Sequence, residues 1–176
     1  MKFDTYLIRL LQPSDLQAYF QLIERNRPRL ADFFTGTVAK TQTFESTKAY
    51  LEEIAKKTEE KIYFPFVVID TSNNSFAGFL DIKNIDWSVP KAELGCYTDV
   101  QYAGKGISSK ALVTFTDYCF KEFQFKKLFL RTHQSNASAR RIAEKCGFEI
   151  EGTIRRDYKT TSGEIVDLIY YGKLPN

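Results

Sequence analysis

A chain of 176 residues, 43% hydrophobic and 15% aromatic, holds enough apolar material for one sizeable core, which excludes a disordered protein. Its formal charge of +3, with Lys and Arg interleaved among Asp and Glu, is too mild and too evenly spread for a nucleic-acid-binding surface. No apolar run approaches membrane-spanning length, and charges break the start from Met1 to Arg9, so neither a membrane span nor a signal peptide is expected. Cys96, Cys119 and Cys146 have no metal-ligand spacing and leave one over from any pairing. That pattern points to a soluble, cytoplasmic, metal-free protein with buried thiols.

Thr5 to Leu11 reads as a first strand. Pro13 to Gln17 follows, with a Ser-x-x-Gln capping box at Ser14 and Gln17 that starts a helix. Its apolar positions Leu16, Tyr19, Phe20 and Ile23 share one face, with Glu24 and Arg25 near its polar end. A second helix is expected from about Phe44 to Lys61, with Phe44, Leu51 and Ile54 inward and its many charges on a solvated face. Three strand signals come next: Pro65 to Ile69, Phe76 to Ile85 after a polar turn at Thr71 to Ser75, and Lys91 to Val100. Adjacent in sequence, they imply an antiparallel meander.

The remainder alternates: helix Ser108 to about Phe123, strand Lys127 to Thr132, helix Asn136 to Cys146, strand Phe148 to Arg156 and strand Ile165 to Leu174. The order is mixed α/β (α+β). No repeat, low-complexity tract or linker divides it, so residues 1–176 read as a single domain.

The segment from Asp99 to Ser109 joins a strand to a helix. Gly104 and Gly106 can take positive φ and let the backbone approach a ligand closely. The helix that follows turns unpaired N–H groups and the positive end of its dipole toward that loop, which suits a pyrophosphate. A nucleotide-hydrolase phosphate loop would need Ser or Thr after Lys105, where Gly106 stands, and a dinucleotide fingerprint would need glycine at Ser109. Taken alone, the loop also fits an ordinary glycine turn.

The later helix reads Asn136-Ala137-Ser138-Ala139-Arg140-Arg141-Ile142-Ala143-Glu144-Lys145-Cys146-Gly147-Phe148, with Ala139, Ile142, Ala143 and Cys146 on one face and Gly147 as a natural C′ residue. Paired with Gln101-x-x-Gly104-x-Gly106, it resembles the GNAT superfamily of acetyl-CoA-dependent N-acetyltransferases. Ile8-Arg9-Leu10-Leu11-x-Pro13-x-Asp15 and Ala92-Glu93-Leu94-Gly95-x-Tyr97 are similar to the branch containing the ribosomal-protein N-terminal serine acetyltransferases, and the likeness runs from about Tyr6 to Leu174.

The resemblance implies a GNAT-like three-layer fold, in which helices flank a splayed, mostly antiparallel central sheet and acetyl-CoA enters where two strands part. The pyrophosphate contacts carry over to Gln101, Gly104, Lys105, Gly106, Ile107 and Ser108. The backbone of Thr98, Asp99 and Val100 would pair with the pantetheine arm, and the Asn136 side chain would bond the cofactor near its thioester. Asn136 also fits a plain N-cap. The implied reaction moves an acetyl group to a primary amine, with a protein N-terminus, ribosomal-protein-like, as first choice. A polyamine, aminoglycoside or amino-acid derivative is the other acceptor class, and a non-catalytic acetyl-CoA-binding regulatory module the other kind of function. The acceptor pocket is expected from the first two helices and the Asp157 to Glu164 turn, and an edge strand of such a sheet leaves room for a homodimer.

An α-amine has a pKa of about 7.7–8.0, so transfer near neutrality calls for a carboxylate base. Strand alternation sets Glu93, Gly95, Tyr97 and Asp99 on one face. Glu93 is the leading base with Tyr97 beside it, an ion-paired strand carboxylate is its plain alternative, and Asp157 is the reserve. The branch usually carries Ser three residues after the motif Asn. Here that position is Ala139, and Ser138, one place earlier, is turned by about 100° around the helix. The leaving thiolate then takes its proton from Tyr158 or water. His133, at a strand end, reads as structural or exposed.

Overall fold

In the computed structural model, which describes residues 1–175, the chain runs β1 (Lys2–Phe3), β2 (Tyr6–Leu10), α1 (Leu16–Leu30), α2 (Thr35–Lys40), α3 (Phe44–Glu59), β3 (Phe64–Asp70), β4 (Ser75–Asp86), β5 (Lys91–Thr98), α4 (Ile107–Glu122), β6 (Lys127–His133), α5 (Ala137–Lys145), β7 (Glu149–Lys159) and β8 (Ile165–Lys173). All of β3 and residues 76–82 of β4 are buried. A sheet buried on both faces needs a helical layer on each. One apolar cluster joins Tyr19, Leu22, Ile23, Leu51 and Ile54 of α1 and α3 to Val67, Ile69 and Phe79, and a second joins Leu112, Phe115 and Ala143 of α4 and α5 to Phe66, Leu80 and Leu94. The three layers expected from the sequence are therefore present.

The eight strands form one sheet in the order β1-β2-β3-β4-β5-β6-β8-β7, antiparallel everywhere except between β5 and β6. That parallel ladder holds only Lys91↔Lys127, Ala92↔Leu128 and Glu93↔Phe129. Beyond it β5 continues to Thr98 and β6 to His133 without pairing to each other, and the two strands part.

Several local expectations need correction. The box at Ser14 and Gln17 does not form; Asp15 caps the turn instead, accepting from the Gln12 N–H at 2.8 Å and from Arg9 at 2.7 Å. The α1 helix runs on to Leu30, so Arg25 lies mid-helix and reaches across to Asp99. Phe44 is 38% exposed and packs edge-on against Phe20, while Tyr50 takes the inward position. The sequence reading left out β1 and α2, each too short to show periodicity.

Candidate active site

The opening between β5 and β6 leads into a continuous cleft of about 1140 Å3, lined by the glycine loop and α5 at one end and by α2, α3 and β4 at the other. Antiparallel pairing fixes what β5 shows to it. The Asp99 N–H donates to the Ala77 carbonyl at 2.9 Å, in register with Tyr97↔Phe79, so odd-numbered residues turn their backbone groups toward β4. Even-numbered residues face the other way, and past the end of the parallel ladder the backbone groups of Cys96 and Thr98 face the gap, where the Thr98 carbonyl accepts from Arg29 at 3.3 Å. The sequence expectation of pantetheine pairing along Thr98, Asp99 and Val100 therefore shifts. Asp99 is fully buried, its carboxylate held by Arg25 at 2.6 Å, and the Val100 N–H donates to Asn26 Oδ1 at 2.9 Å. The Cys96 and Thr98 backbones are the ones that border the opening. Burial pushes the Cys96 thiol up to about 12, so it is an inert wall atom at neutral pH.

At the glycine loop, Gly104 and Gly106 have φ of +77° and +75°, and a Cβ at either would meet nothing within 4 Å. Gly106 is the N-cap of α4, and the first bond of that helix runs from the Lys110 N–H to its carbonyl, so the N–H groups of Ile107, Ser108 and Ser109 have no carbonyl within the helix to bond. These donors and the open loop fit the diphosphate of a coenzyme A. The Gln101 N–H does not join them, since it donates to Asp99 Oδ1 at 2.9 Å. Lys105 lies over the Tyr102 ring with its ammonium exposed beside the loop. The Ser108 hydroxyl bonds Thr98 Oγ1, and the Ile107 side chain is buried, leaving its backbone as the part that faces outward.

Across the gap, Asn136 caps α5, its Oδ1 accepting from the Ala139 N–H at 3.1 Å. The plain N-cap reading is thus what this side chain does, with its amide nitrogen unengaged at the cleft wall. Ser138 is exposed at the cleft edge beside half-buried Ala139. His133 bonds the Ser135 hydroxyl at 2.6 Å in the turn after β6.

The opposite end is built from side chains. Glu93 is 4% exposed, and its Oε2 accepts from Arg131 Nε at 3.0 Å and from Asn84 at 2.6 Å, with Arg131 Nη2 in ion-pair contact at 2.9 Å. Asn84 gets there because the β4–β5 register shifts at this point and its φ of +47° re-aims the side chain. Arg131 also pairs with Asp157 at 3.1 Å, and Tyr170 donates to the same Asp157 oxygen at 2.9 Å. One guanidinium therefore holds both candidate carboxylates. Burial alone would lower the Arg131 pKa, but Glu93 more than offsets it and Arg131 is held above the ordinary arginine value. Glu93 Oε1 is left with only the Lys83 ammonium, 3.8 Å away.

Tyr97 stacks on Phe79 at 5.4 Å and meets Phe34 edge-on at 5.1 Å, and its buried hydroxyl has no hydrogen-bond partner among the described residues. Burial, reinforced by Tyr50 and Asp81, holds its pKa well above the ordinary tyrosine value, so it is a neutral phenol. Tyr158 is tied to Thr35, whose N–H donates to it at 3.1 Å, and Thr161 donates to the Ala31 carbonyl. These two bonds dock the β7–β8 hairpin onto the α1–α2 connection and wall off the cleft.

The arrangement is an anion-binding helix start, a strand edge open to an extended chain, and a buried carboxylate on the strand face that also carries a neutral phenol. An acetyltransferase (GNAT) domain model matches residues 6–149. The chain belongs to the GNAT acetyltransferases. It is thus an N-acetyltransferase of the family that takes its acetyl group from acetyl-CoA. "Putative ribosomal N-acetyltransferase YdaF" of Bacillus subtilis (strain 168) is 27% identical over 175 residues, covering 95% of this chain and 90% of that protein. Among solved structures, the ribosomal-protein-S5-alanine acetyltransferase from Vibrio fischeri superposes with a TM-score of 0.87 at 24% identity, covering 99% of this chain and 95% of that one. RimL, a ribosomal L7/L12 α-N-protein acetyltransferase in complex with coenzyme A, superposes at 0.89 with 18% identity, covering 98% and 95%.

Sequence reasoning missed Arg131, Asp81, Lys83 and Asn84. The available signal was Asp81-x-Lys83, two charges at alternate positions inside the apolar run of β4, which places both on the face that carries Glu93.

Proposed function

We propose that this acetyltransferase modifies the α-amino group of a protein N-terminus, working in the cytoplasm as one domain over the whole chain. The observation that carries the acceptor assignment is charge balance at the amine end of the cleft. Asp81, Glu93 and Asp157 face Lys83 and Arg131, so the carboxylates exceed the cations by a single negative charge, enough for one ammonium and not for a polycation. A single ammonium on a peptide suits such a site better than a polyamine or an aminoglycoside. Half-exposed Ile62 and the Phe33 and Phe34 rings line the same end and offer apolar contact to the following residues. Kinship with a ribosomal N-acetyltransferase named in Bacillus subtilis is in keeping with a peptide acceptor, and three unpaired cysteines with a reducing compartment.

Acetyl-CoA supplies a thioester carbonyl at the opening between β5 and β6. The free N–H groups of residues 107–109 hold its diphosphate, and the backbones of Cys96 and Thr98 align its arm. Glu93 is the base: Arg131 and Asn84 fix Oε2, and Oε1 takes the proton of the acceptor ammonium, directly or through water. The neutral nitrogen forms the new C–N bond while the C–S bond breaks, and the proton that nitrogen sheds on becoming an amide passes through water to the leaving thiolate, whose thiol has a pKa of about 8.5; this needs no help from Ser138. Tyr158, already engaged with Thr35, shapes the wall. Asp157 is a positioning residue that acts on Glu93 through Arg131.

Thiol release from acetyl-CoA with parallel panels of N-terminally varied peptides, polyamines and aminoglycosides tests this. Release with Ser- or Ala-led peptides alone is expected. Selective release with small amines would move the acceptor to that class, and silence throughout despite measurable cofactor binding would mean a regulatory module.

A further inference from the structure

Among the described residues, Asp81 Oδ1 is a fully buried carboxylate oxygen in the cleft with no hydrogen-bond partner. Asp81 is 4% exposed; its Oδ2 accepts from the Tyr63 hydroxyl at 2.9 Å, while its buried Oδ1 bonds nothing. Carboxylate oxygens are seldom left this way, because the desolvated charge goes uncompensated. The nearest cation is Lys83, whose Nζ stands 3.8 Å from Asp81 Oδ1 and 3.8 Å from Glu93 Oε1, within ion-pair range of both and hydrogen-bonded to neither. Lys83 is one-third exposed on a flexible stem and its ammonium rides over the Phe34 ring. Burial lowers its proton affinity, yet Asp81 and Glu93 more than compensate and keep it charged.

Gly95 makes the arrangement fit. It lies opposite Asp81 on the neighbouring strand, and a Cβ there would stand 2.3 Å from Asp81 Oδ1 and 3.1 Å from Lys83 Nζ. A glycine inside a strand weakens it and marks a close approach. Here it lets a carboxylate lie across the strand into the cleft.

We propose that Asp81 Oδ1 is the seat of the acceptor's ammonium, and that the Lys83 ammonium is a displaceable occupant of that seat, swinging aside when substrate arrives. The seat reads one feature, a primary ammonium, and hands it to Glu93 Oε1, which faces the same Lys83 nitrogen. The inference rests on acetyl transfer taking place beside Glu93, but not on the acceptor being a peptide. Asp81 acts on binding and Glu93 on proton transfer, so the two differ in the kinetic parameter they control.

The test is steady-state kinetics of Asp81→Asn and Lys83→Gln with the best peptide of the panel and with glycinamide, an α-amine with no side chain. Asp81→Asn should raise the amine KM at least about tenfold, as expected for a lost charge-assisted bond, with kcat and the acetyl-CoA KM little changed. Lys83→Gln should lower the amine KM about threefold by removing the built-in competitor. Both shifts should be equal for the peptide and glycinamide, since only the ammonium is common to them. Thermal melts of both variants check folding, and a structural role for Asp81 would not produce KM shifts of opposite sign. Shifts in the same direction, a loss of kcat at unchanged KM, or a loss confined to the peptide would overturn the proposal. Turnover of glycinamide but of no peptide would sink the N-terminal reading alone, with the seat then read on glycinamide. Silence toward every amine would overturn both.

Discussion

On the α4 side the cleft is backbone, and on the α1–α3 side it is side chains. The half proposed for the cofactor consists of two positive-φ glycines, the first-turn amides of α4 and the edge of β5, all supplied by one stretch from Cys96 to Ser109. The half proposed for the acceptor draws Asp81, Lys83 and Asn84 from β4, Glu93 and Tyr97 from β5, Arg131 from β6 and Asp157 from β7. Backbone donors have no protonation state to tune and tolerate many sequences. A network of charges on four strands is tuned by each member, and losing one exposes the others. The halves should therefore fail in different ways.

Within the acceptor half, Glu93→Gln should reduce kcat roughly 100-fold or more, the usual worth of a general base, with acetyl-CoA binding intact in calorimetry. Near-normal kcat in that variant would transfer the base role to Asp157. Arg131→Met removes the cation shared by two carboxylates, one of them 4% exposed. It should cost about 3 kcal/mol in urea unfolding, since breaking a buried pair leaves its partner uncompensated. No loss of stability would show that Asn84 and Lys83 suffice to hold Glu93.

For the cofactor half, Gly106→Val should raise the acetyl-CoA KM about tenfold, because a side chain at φ +75° carries ~1–2 kcal/mol of left-handed strain. The acceptor KM should stay fixed; a shift in it would blur the division between the halves. Asp15 probes the support they share, because it anchors the start of α1, which carries Asn26 and Arg29 to the end of β5. Burial alone would raise the Asp15 pKa, but bonds from Arg9 and the Gln12 N–H lower it below the ordinary value. A depressed carboxylate stabilises the fold above the unfolded pKa of about 3.9, and that stability is lost as pH falls through the lowered folded value. Asp15→Asn should thus be the less stable protein at pH 7, with the gap closing below about pH 4 in pH-dependent melts. Smallest of all, Ser138→Ala should leave kcat within about threefold, under 1 kcal/mol. A loss exceeding that of Glu93→Gln would reverse the assignment of roles.

The difference between the halves also explains what the sequence could reveal. Gly104, Gly106 and the start of α4 were legible because glycine spacing and a helix start are local, and they are contiguous in the chain. Strand alternation likewise put Glu93 and Tyr97 on one face correctly. Nothing local shows that Arg131, 38 residues after Glu93, reaches its carboxylate, since that depends on a parallel ladder of three pairs. Asn84 needed a register shift and a left-handed backbone that no propensity signals. The Ser14 and Gln17 box failed because Asp15, one place on, had both the Gln12 N–H and Arg9 within reach. The strand expected to reach Val100 ends two residues earlier, at Thr98, where the buried Asp99–Arg25 pair takes over.

The most direct measurement is mass-spectrometric location of the acetyl group after incubation of the enzyme, acetyl-CoA and a Ser-led peptide that also carries an internal lysine. The account predicts a single acetyl group on the α-nitrogen of the serine. Acetylation of the lysine ε-nitrogen, or an unmodified peptide in a sample where spermidine is acetylated, would contradict it.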